Sequence, residues 1–272
     1  ADNVVIIDTS HPRPQVIGEM DQFTAPVLLH EEAVYLHEGA QYHVDRLDWA
    51  EKKAYVHPVE VDYYTDALAS VTVQVLETFA GPEGSDLTRS HGEVKITSLA
   101  SMFKKIRFHT HENIGAGPIH LPEQTLHTTG YWVTVEDALW DATGHGAVTG
   151  PDAVRPSMSP GLEAGLQGMA HALRHVASLR LMCDARDLGS VAEVRSVTTR
   201  RPTVTVYENY PGGVGLAARL FELHRELLDD AAELVRECPC AAGCPSCVGP
   251  LHLVEGAKEA CLRLLSGTAL TV

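Results

Sequence analysis

Cations are scarce in this chain. Lys and Arg number 21 against 36 Asp and Glu, a formal net charge of −15 over 272 residues. An acidic surface repels phosphate, so the chain as a whole is a poor non-specific grip on DNA. Any nucleic-acid role has to rest on a local patch or on another domain. Long apolar runs are also missing. No stretch approaches the ~20 apolar residues of a membrane helix, and no membrane partner is expected. The start, Ala-Asp-Asn-Val-Val, has neither an initiator methionine nor a basic segment leading into an apolar one. It reads as a fragment cut from a longer protein and not as a signal peptide. There is no Gly-x-x-x-x-Gly-Lys-Ser/Thr loop to hold ATP and no Gly-x-Ser-x-Gly nucleophile elbow. What remains, 44% hydrophobic and 21% charged residues, is a globular composition. The length suffices for one large domain or two ordinary ones.

Cysteine is sparse but unevenly placed. Of six cysteines, Cys183 and Cys261 stand alone and read as small buried apolar residues. The other four crowd together in Cys238-Pro-Cys240-Ala-Ala-Gly-Cys244-Pro-Ser-Cys247. A disulfide framework would spread its pairs along a small secreted domain, so the clustering points to a metal in a reducing cytosol. Four thiolates about a tetrahedral centre make a closed structural zinc site. Cys244-Pro-Ser-Cys247 has the spacing of a zinc knuckle, and Gly243 and Gly249 allow the backbone to turn tightly around an ion. The first pair is Cys-x-Cys, a less usual spacing for zinc. A four-cysteine iron–sulfur cluster or redox-active thiols therefore stay open as readings of the residues alone.

The residue pattern predicts an α+β fold. Residues 1–150 read as a strand-rich part, an antiparallel sheet or partial barrel. Residues 151–272 read as a helix-rich part carrying the cysteines. Ala33 to His37 and Gln41 to Val44 alternate around Glu38-Gly39, a hairpin pattern. Val56 to Tyr64, Val71 to Phe79, Val94 to Ser98, Ile106 to His109 and Tyr131 to Val135 read as further short strands, with a turn at Gly81 to Ser85. The proline-containing stretch Gly150 to Gly161 reads as a joint. Leu162, Leu166, Met169, Leu173 and Val176 then recur at helical spacing toward Met182. A strand is expected at Thr203 to Glu208, a long helix from Val214 to Val235 and a last helix from Glu255 to Leu265.

Other candidate sites are less specific. Pro211-Gly212-Gly213-Val214-Gly215 between a strand and a helix could seat an anion, or be a tight turn that needs small residues. His171 and His175, at i and i+4, could share a metal or lie on a half-buried helix face. His109 and His111 would share one face of a strand with Glu112 nearby. Asp184, Asp187 and Glu208 could form the carboxylate cluster of a Mg²⁺-dependent nuclease, or serve as caps and solvated charges. Lys104-Lys105-Ile106-Arg107, between Phe103 and Phe108, is the densest basic stretch. Lys104, Lys105 and Arg107 suit single-stranded nucleic acid through phosphate contact and stacking, or an ordinary solvated strand edge.

Three segments together carry a family resemblance. They are Leu181-Met-Cys-Asp-Ala-Arg-Asp-Leu-Gly189, Tyr207-Glu-Asn-Tyr-Pro-Gly-Gly-Val-Gly215 and the cysteine run from Cys238 to Gly249. They resemble the DUF1998, or MrfA-type, zinc-binding domain that closes a clade of superfamily 2 DNA helicases. Ala33 to Gly39, Tyr42-His43-Val44 and Asp62 to Thr65 resemble the segment that joins motor to zinc domain in the same proteins. The resemblance implies one structural Zn²⁺ on Cys238, Cys240, Cys244 and Cys247. It also implies a parent protein that is an ATP-dependent 3′-to-5′ DNA translocase acting in repair. ATP and Mg²⁺ would bind only in two RecA-like motor domains preceding residue 1, so no catalytic residue is expected here. The expected partners are those motor domains, DNA that is single-stranded or 3′-tailed, and a possible partner nuclease. The expected location is the bacterial cytoplasm, with the nucleoid. A nuclease-like domain and a protein-docking module are the rival functions.

Overall fold

The computed structural model describes residues 3–136, 160–249 and 256–267. The fold is α+β, strand-rich toward its N-terminus and helical around the cysteines. Residues 1–71 with 97–125 form one compact unit, and residues 72–96 with 126–272 form the other. Two long strands therefore contribute to both units. The stretch around residue 150, where the sequence suggests a joint, lies mostly outside the described residues, as does Glu255.

The first unit is built on a five-stranded sheet of order β2-β1-β5-β4-β3. Its strands are β1 (Asn3–Asp8), β2 (Gln15–Asp21), β3 (Val34–His37), β4 (Ala40–Asp48) and β5 (Lys53–Val59). β3 and β4 form the expected hairpin, with His37 opposite Ala40. Glu38 and Gly39 both take positive φ, the two-residue turn whose twist matches a hairpin. β1 runs parallel to β5, a pairing the alternation of single strands cannot reveal. The inward side chains Val4, Ile6, Val44, Ala54 and Val56 are fully buried and pack with Ala25 and Leu29 of the short helix α1 (Ala25–Leu28) and its end. The opposite face of β4 and β5 carries His43, Asp45, Tyr55 and His57.

The second sheet has the order β10-β11-β9-β7-β6, with β8 also paired to β7. β6 (Tyr63–Glu83) and β7 (Leu87–Arg107) each run 21 residues. The separate runs read at Val71–Phe79, Val94–Ser98 and Ile106 are thus parts of two long strands, whose polar positions disguise their continuity. Val56–Tyr64 is the reverse case, because residues 60–62 interrupt it between β5 and β6. β8 is Asn113–Pro118, β9 is Gln124–Val135, β10 is Leu188–Glu193 and β11 is Thr203–Glu208. Every residue of β11 is buried.

Helix α2 (Pro160–Leu181) packs on β10 and β11 and also on two later helices. It is covered on more than one side, which explains its run of small residues: Ala164, Ala170, Ala172 and Ala177 are buried along with Leu166, Met169 and Leu173. A Cβ on Gly165 would meet the backbone of Ala260 at 3.0 Å. One on Gly168 would meet Val248 and Cys261 at 3.2 Å. The helix expected over 214–235 is two helices, α3 (Leu216–Glu222) and α4 (His224–Glu237), broken at Leu223. Arg89 accounts for the break. Its guanidinium lies over the Phe221 ring and donates to the Phe221 carbonyl oxygen at 2.8 Å, where an uninterrupted helix would place its own N–H. The last helix, α5, spans Ala257–Ser266.

Candidate metal centre

Helix α4 ends at Cys238, whose extended backbone (φ −63°, ψ 128°) turns the chain into the cysteine loop. Four sulfurs then converge, all within 4.8 Å of one another. Cys238 and Cys244 lie 3.6 Å apart, Cys240 and Cys247 3.5 Å, and Cys244 and Cys247 3.7 Å. Sulfurs at ~2.3 Å from a tetrahedral ion stand roughly 3.8 Å apart, so this donor set fits zinc in both chemistry and size. None of the six cysteines is in a disulfide.

Local bonds hold this arrangement. In the knuckle, the N–H groups of Cys247 and Val248 both donate to the Cys244 carbonyl oxygen, at 3.1 and 3.0 Å. The N–H groups of Ser246 and Cys247 point at the Cys244 sulfur and pull its thiol down to about 6. Burial pushes the Cys247 thiol up to about 12, so holding it as a thiolate requires a cation beside it. Gly243 sits at φ +117°, where a Cβ would strike Val248 at 2.7 Å. Cys247 and Val248 are only 1% and 2% exposed and belong to the same apolar core as Leu166, Leu173, Cys261 and Leu264. The first half of the loop is fixed from α5. Lys258 Nζ donates to the carbonyl oxygens of Cys238 (2.6 Å) and Cys240 (3.0 Å), and its backbone N–H donates to Ala242. Lys258 was not singled out from sequence, and a lone lysine in a helix carries no signal of this role.

The other candidates separate clearly. His171 and His175 do stack edge to face at 4.3 Å. His171 also lies against the metal loop, where a Cβ on Gly249 would meet its ring at 3.1 Å. Burial lowers the pKa of both rings. No third donor joins them among the described residues. His109, His111 and Glu112 are exposed in the turn after β7 and not on a strand, so the expected shared face does not form. Asp184 caps a short 3-10 helix (Ala185–Asp187) in a reciprocal capping box with Asp187, which also accepts from the Tyr210 hydroxyl at 2.6 Å. Glu208 is fully buried. It accepts from the Thr129 hydroxyl and the Val214 N–H at 2.5 Å, and from the Ala217 N–H at 2.9 Å. These carboxylates are engaged one by one and do not form a cluster among the described residues. The same bonds resolve the Pro211–Gly215 turn: its anion is the protein's own Glu208.

In the basic stretch, Lys105 pairs with Glu32 at 2.9 Å and Arg107 with Asp62 at 3.7 Å. Lys104 has no ion pair among the described residues. Phe103, expected as a stacking partner, is buried against His30 at 4.6 Å, whereas Phe108 is 43% exposed. Of the lone cysteines, Cys261 is fully buried as expected, while Cys183 is only partly so. A further donor set, His43, Asp45 and His57, brings its ligand atoms within 4.8 Å of one another on the first sheet. It escaped the sequence reading because only the strand register unites it.

Residues 169–248, which contain the four converging cysteines, match the MrfA Zn-binding domain. Over these residues the chain is similar to that zinc-binding domain. Over 97% of its length the chain is 43% identical to the ATP-dependent helicase YprA of Bacillus subtilis, covering 33% of that protein. It is 24% identical to the ATP-dependent helicase HRQ1 of Saccharomyces cerevisiae over 91% of its length, covering 23% of that protein. A crystal structure of the DUF1998 helicase MrfA bound to DNA superposes with a TM-score of 0.64 at 41% identity, over 98% of this chain and 34% of that one. A further crystal structure of the DUF1998 helicase MrfA superposes with a TM-score of 0.66 at 37% identity, over 97% of this chain and 34% of that one. The chain thus spans about a third or less of the length of these helicases. No helix among the described residues is long and apolar enough to cross a membrane.

Proposed function

We propose that this chain is the zinc-binding accessory module of an ATP-dependent 3′-to-5′ DNA helicase acting in DNA repair. One structural Zn²⁺ sits on Cys238, Cys240, Cys244 and Cys247. The observation that carries this reading is the tetrahedron-sized convergence of four sulfurs against the main apolar core, with Cys247 buried in it. The ion is then part of the fold and not an exchangeable reagent. The strand-rich part, 1–150, and the zinc part, 151–272, brace the motor and contact the DNA strand as it leaves. ATP and Mg²⁺ bind in motor domains outside this chain. The similarity to YprA and to DNA-bound MrfA supports that context, as does an acidic balance suited to an accessory role. Lys104, Lys105 and Arg107 are the proposed DNA contacts, with Lys104 the one lacking an ion pair among the described residues. The parent protein works in the bacterial cytoplasm, at the nucleoid.

Elemental analysis of the purified chain with an absorption spectrum tests the metal: one zinc per chain and no visible colour are expected, and a coloured, iron-containing preparation overturns it. The functional half predicts no ATP hydrolysis by this chain alone. It predicts unwinding of 3′-tailed DNA by the parent protein that weakens when Lys104 and Lys105 become alanine. ATP turnover by the isolated chain, or unchanged unwinding by that variant, counts against it.

A further inference from the structure

The second donor set lies far from the cysteines in sequence and is made by strand register. His43 on β4 stands directly opposite His57 on β5, so both rings rise from the same face of the sheet. Just beyond them the ladder slips: Val44 pairs with Val56 and Arg46 with Tyr55, leaving Asp45 as the extra residue of a β-bulge. The bulge turns Asp45 outward beside the two histidines while Val44 and Leu47 stay in the core. Its carboxylate lies between the rings, Oδ1 at 3.2 Å from His43 Nδ1 and Oδ2 at 2.8 Å from His57 Nδ1. The ring centroids are 5.3 Å apart.

We infer that His43, Asp45 and His57 form a second metal site, one that takes a divalent transition ion of the zinc class. Two imidazoles and a carboxylate are ligands for zinc, cobalt, nickel or copper, whereas magnesium and calcium call for oxygen donors throughout. At metal–ligand bonds of ~2.0–2.1 Å, tetrahedral ligands sit roughly 3.3 Å apart, close to the spacing found here. On binding, each neutral imidazole carries its proton on Nε2 and offers the Nδ1 lone pair to the ion, so the two hydrogen bonds to Asp45 give way to coordination. The side chains are 28%, 44% and 42% exposed, in sequence order. An ion can therefore enter without unfolding the sheet, and its remaining positions face solvent, as in sites that keep water or an exchangeable ligand.

The test uses the tag-free chain carrying one zinc per molecule, titrated with Co²⁺. A second equivalent should bind, giving weak visible bands without a thiolate charge-transfer band. In NMR spectra it should broaden two of the 15 histidine signals, those lost on His43→Ala and His57→Ala. Each of these substitutions should weaken the second equivalent by at least the ~10-fold that loss of even an outer-shell partner costs a metal site. Both should leave the first zinc and the thermal midpoint unchanged. The inference is overturned if the unaltered chain takes up no second equivalent. It is equally overturned if a second equivalent binds as tightly to both variants, or if all histidines broaden alike.

Discussion

The two clusters of metal-binding side chains sit in opposite surroundings. The cysteine loop is stitched into the main apolar core: Cys247 is almost fully buried, Val248 packs on α2, and α5 closes the other side. The His43–Asp45–His57 group lies on the solvent face of a sheet whose own core of Val4, Ile6, Val44 and Val56 is complete beneath it. Burial decides whether an ion is a structural component or a visitor. Where the ligands fill the core, losing the ion unfolds what packs on it; where they lie on a finished surface, it does not.

The sharpest way to break this contrast is to remove one cysteine. Cys247→Ser should abolish zinc binding and unfold the region around α4 and α5. Structural zinc typically contributes about 10 kcal/mol or more of folding free energy. Calorimetry and zinc content check this; a folded, zinc-free variant with an unchanged midpoint would dissolve the distinction. Core truncations come next. Leu173→Ala and Leu29→Ala should each cost about 2–5 kcal/mol in denaturant titrations, since both side chains are fully buried. Only Leu173→Ala should also weaken zinc retention against a chelator, because only that core contains the loop.

Glu208→Gln should destabilise the zinc-bearing unit by about 1.5–3 kcal/mol, the range for a hydrogen-bonded charged group, by weakening the contacts to Val214, Ala217 and Thr129. Urea titration followed by the fluorescence of the buried Trp132 reads this directly. A further effect is pH-dependent. Burial lowers the His224 pKa from its usual 6.5 to about 4, and nearby Arg89 adds to the fall. The buried Tyr131 hydroxyl, whose own pKa is raised, is hydrogen-bonded to His224 Nδ1 at 2.6 Å. The unfolded chain therefore binds the proton more readily. This stability is fully present above about 6.5 and is lost as pH falls from 6.5 toward 4. The slope in that window should be shallower in His224→Gln, measured at each pH by chemical denaturation. Smallest of all, His57→Ala should stay within about 0.5 kcal/mol of the parent in stability, as befits an exposed position.

Elements with local signals were readable in the sequence. Cys244-Pro-Ser-Cys247, the Glu38-Gly39 hairpin, α2 and β11 all follow from spacing, turn chemistry or periodicity over a few residues. What escaped depended on partners remote in the chain. The parallel β1–β5 pairing, the register that joins His57 to His43, and the interruption of α3 by Arg89 all need the folded structure. The carboxylates of Asp187 and Glu208 left both a metal cluster and a capping role open for the same reason. Their chemistry suits a metal, but their neighbours are backbone N–H groups and hydroxyls that consume them.

Lys258 has an electrostatic consequence. Four thiolates around a divalent cation leave a centre with two surplus negative charges. The ammonium of Lys258 reaches the carbonyls flanking that centre, and α5 directs the positive end of its dipole the same way. Exchanging a cysteine for histidine would thus do more than swap a donor atom. It would erase part of the anionic charge that gives the lysine its reason to be there, and loosen the terminal helix from the loop it clasps.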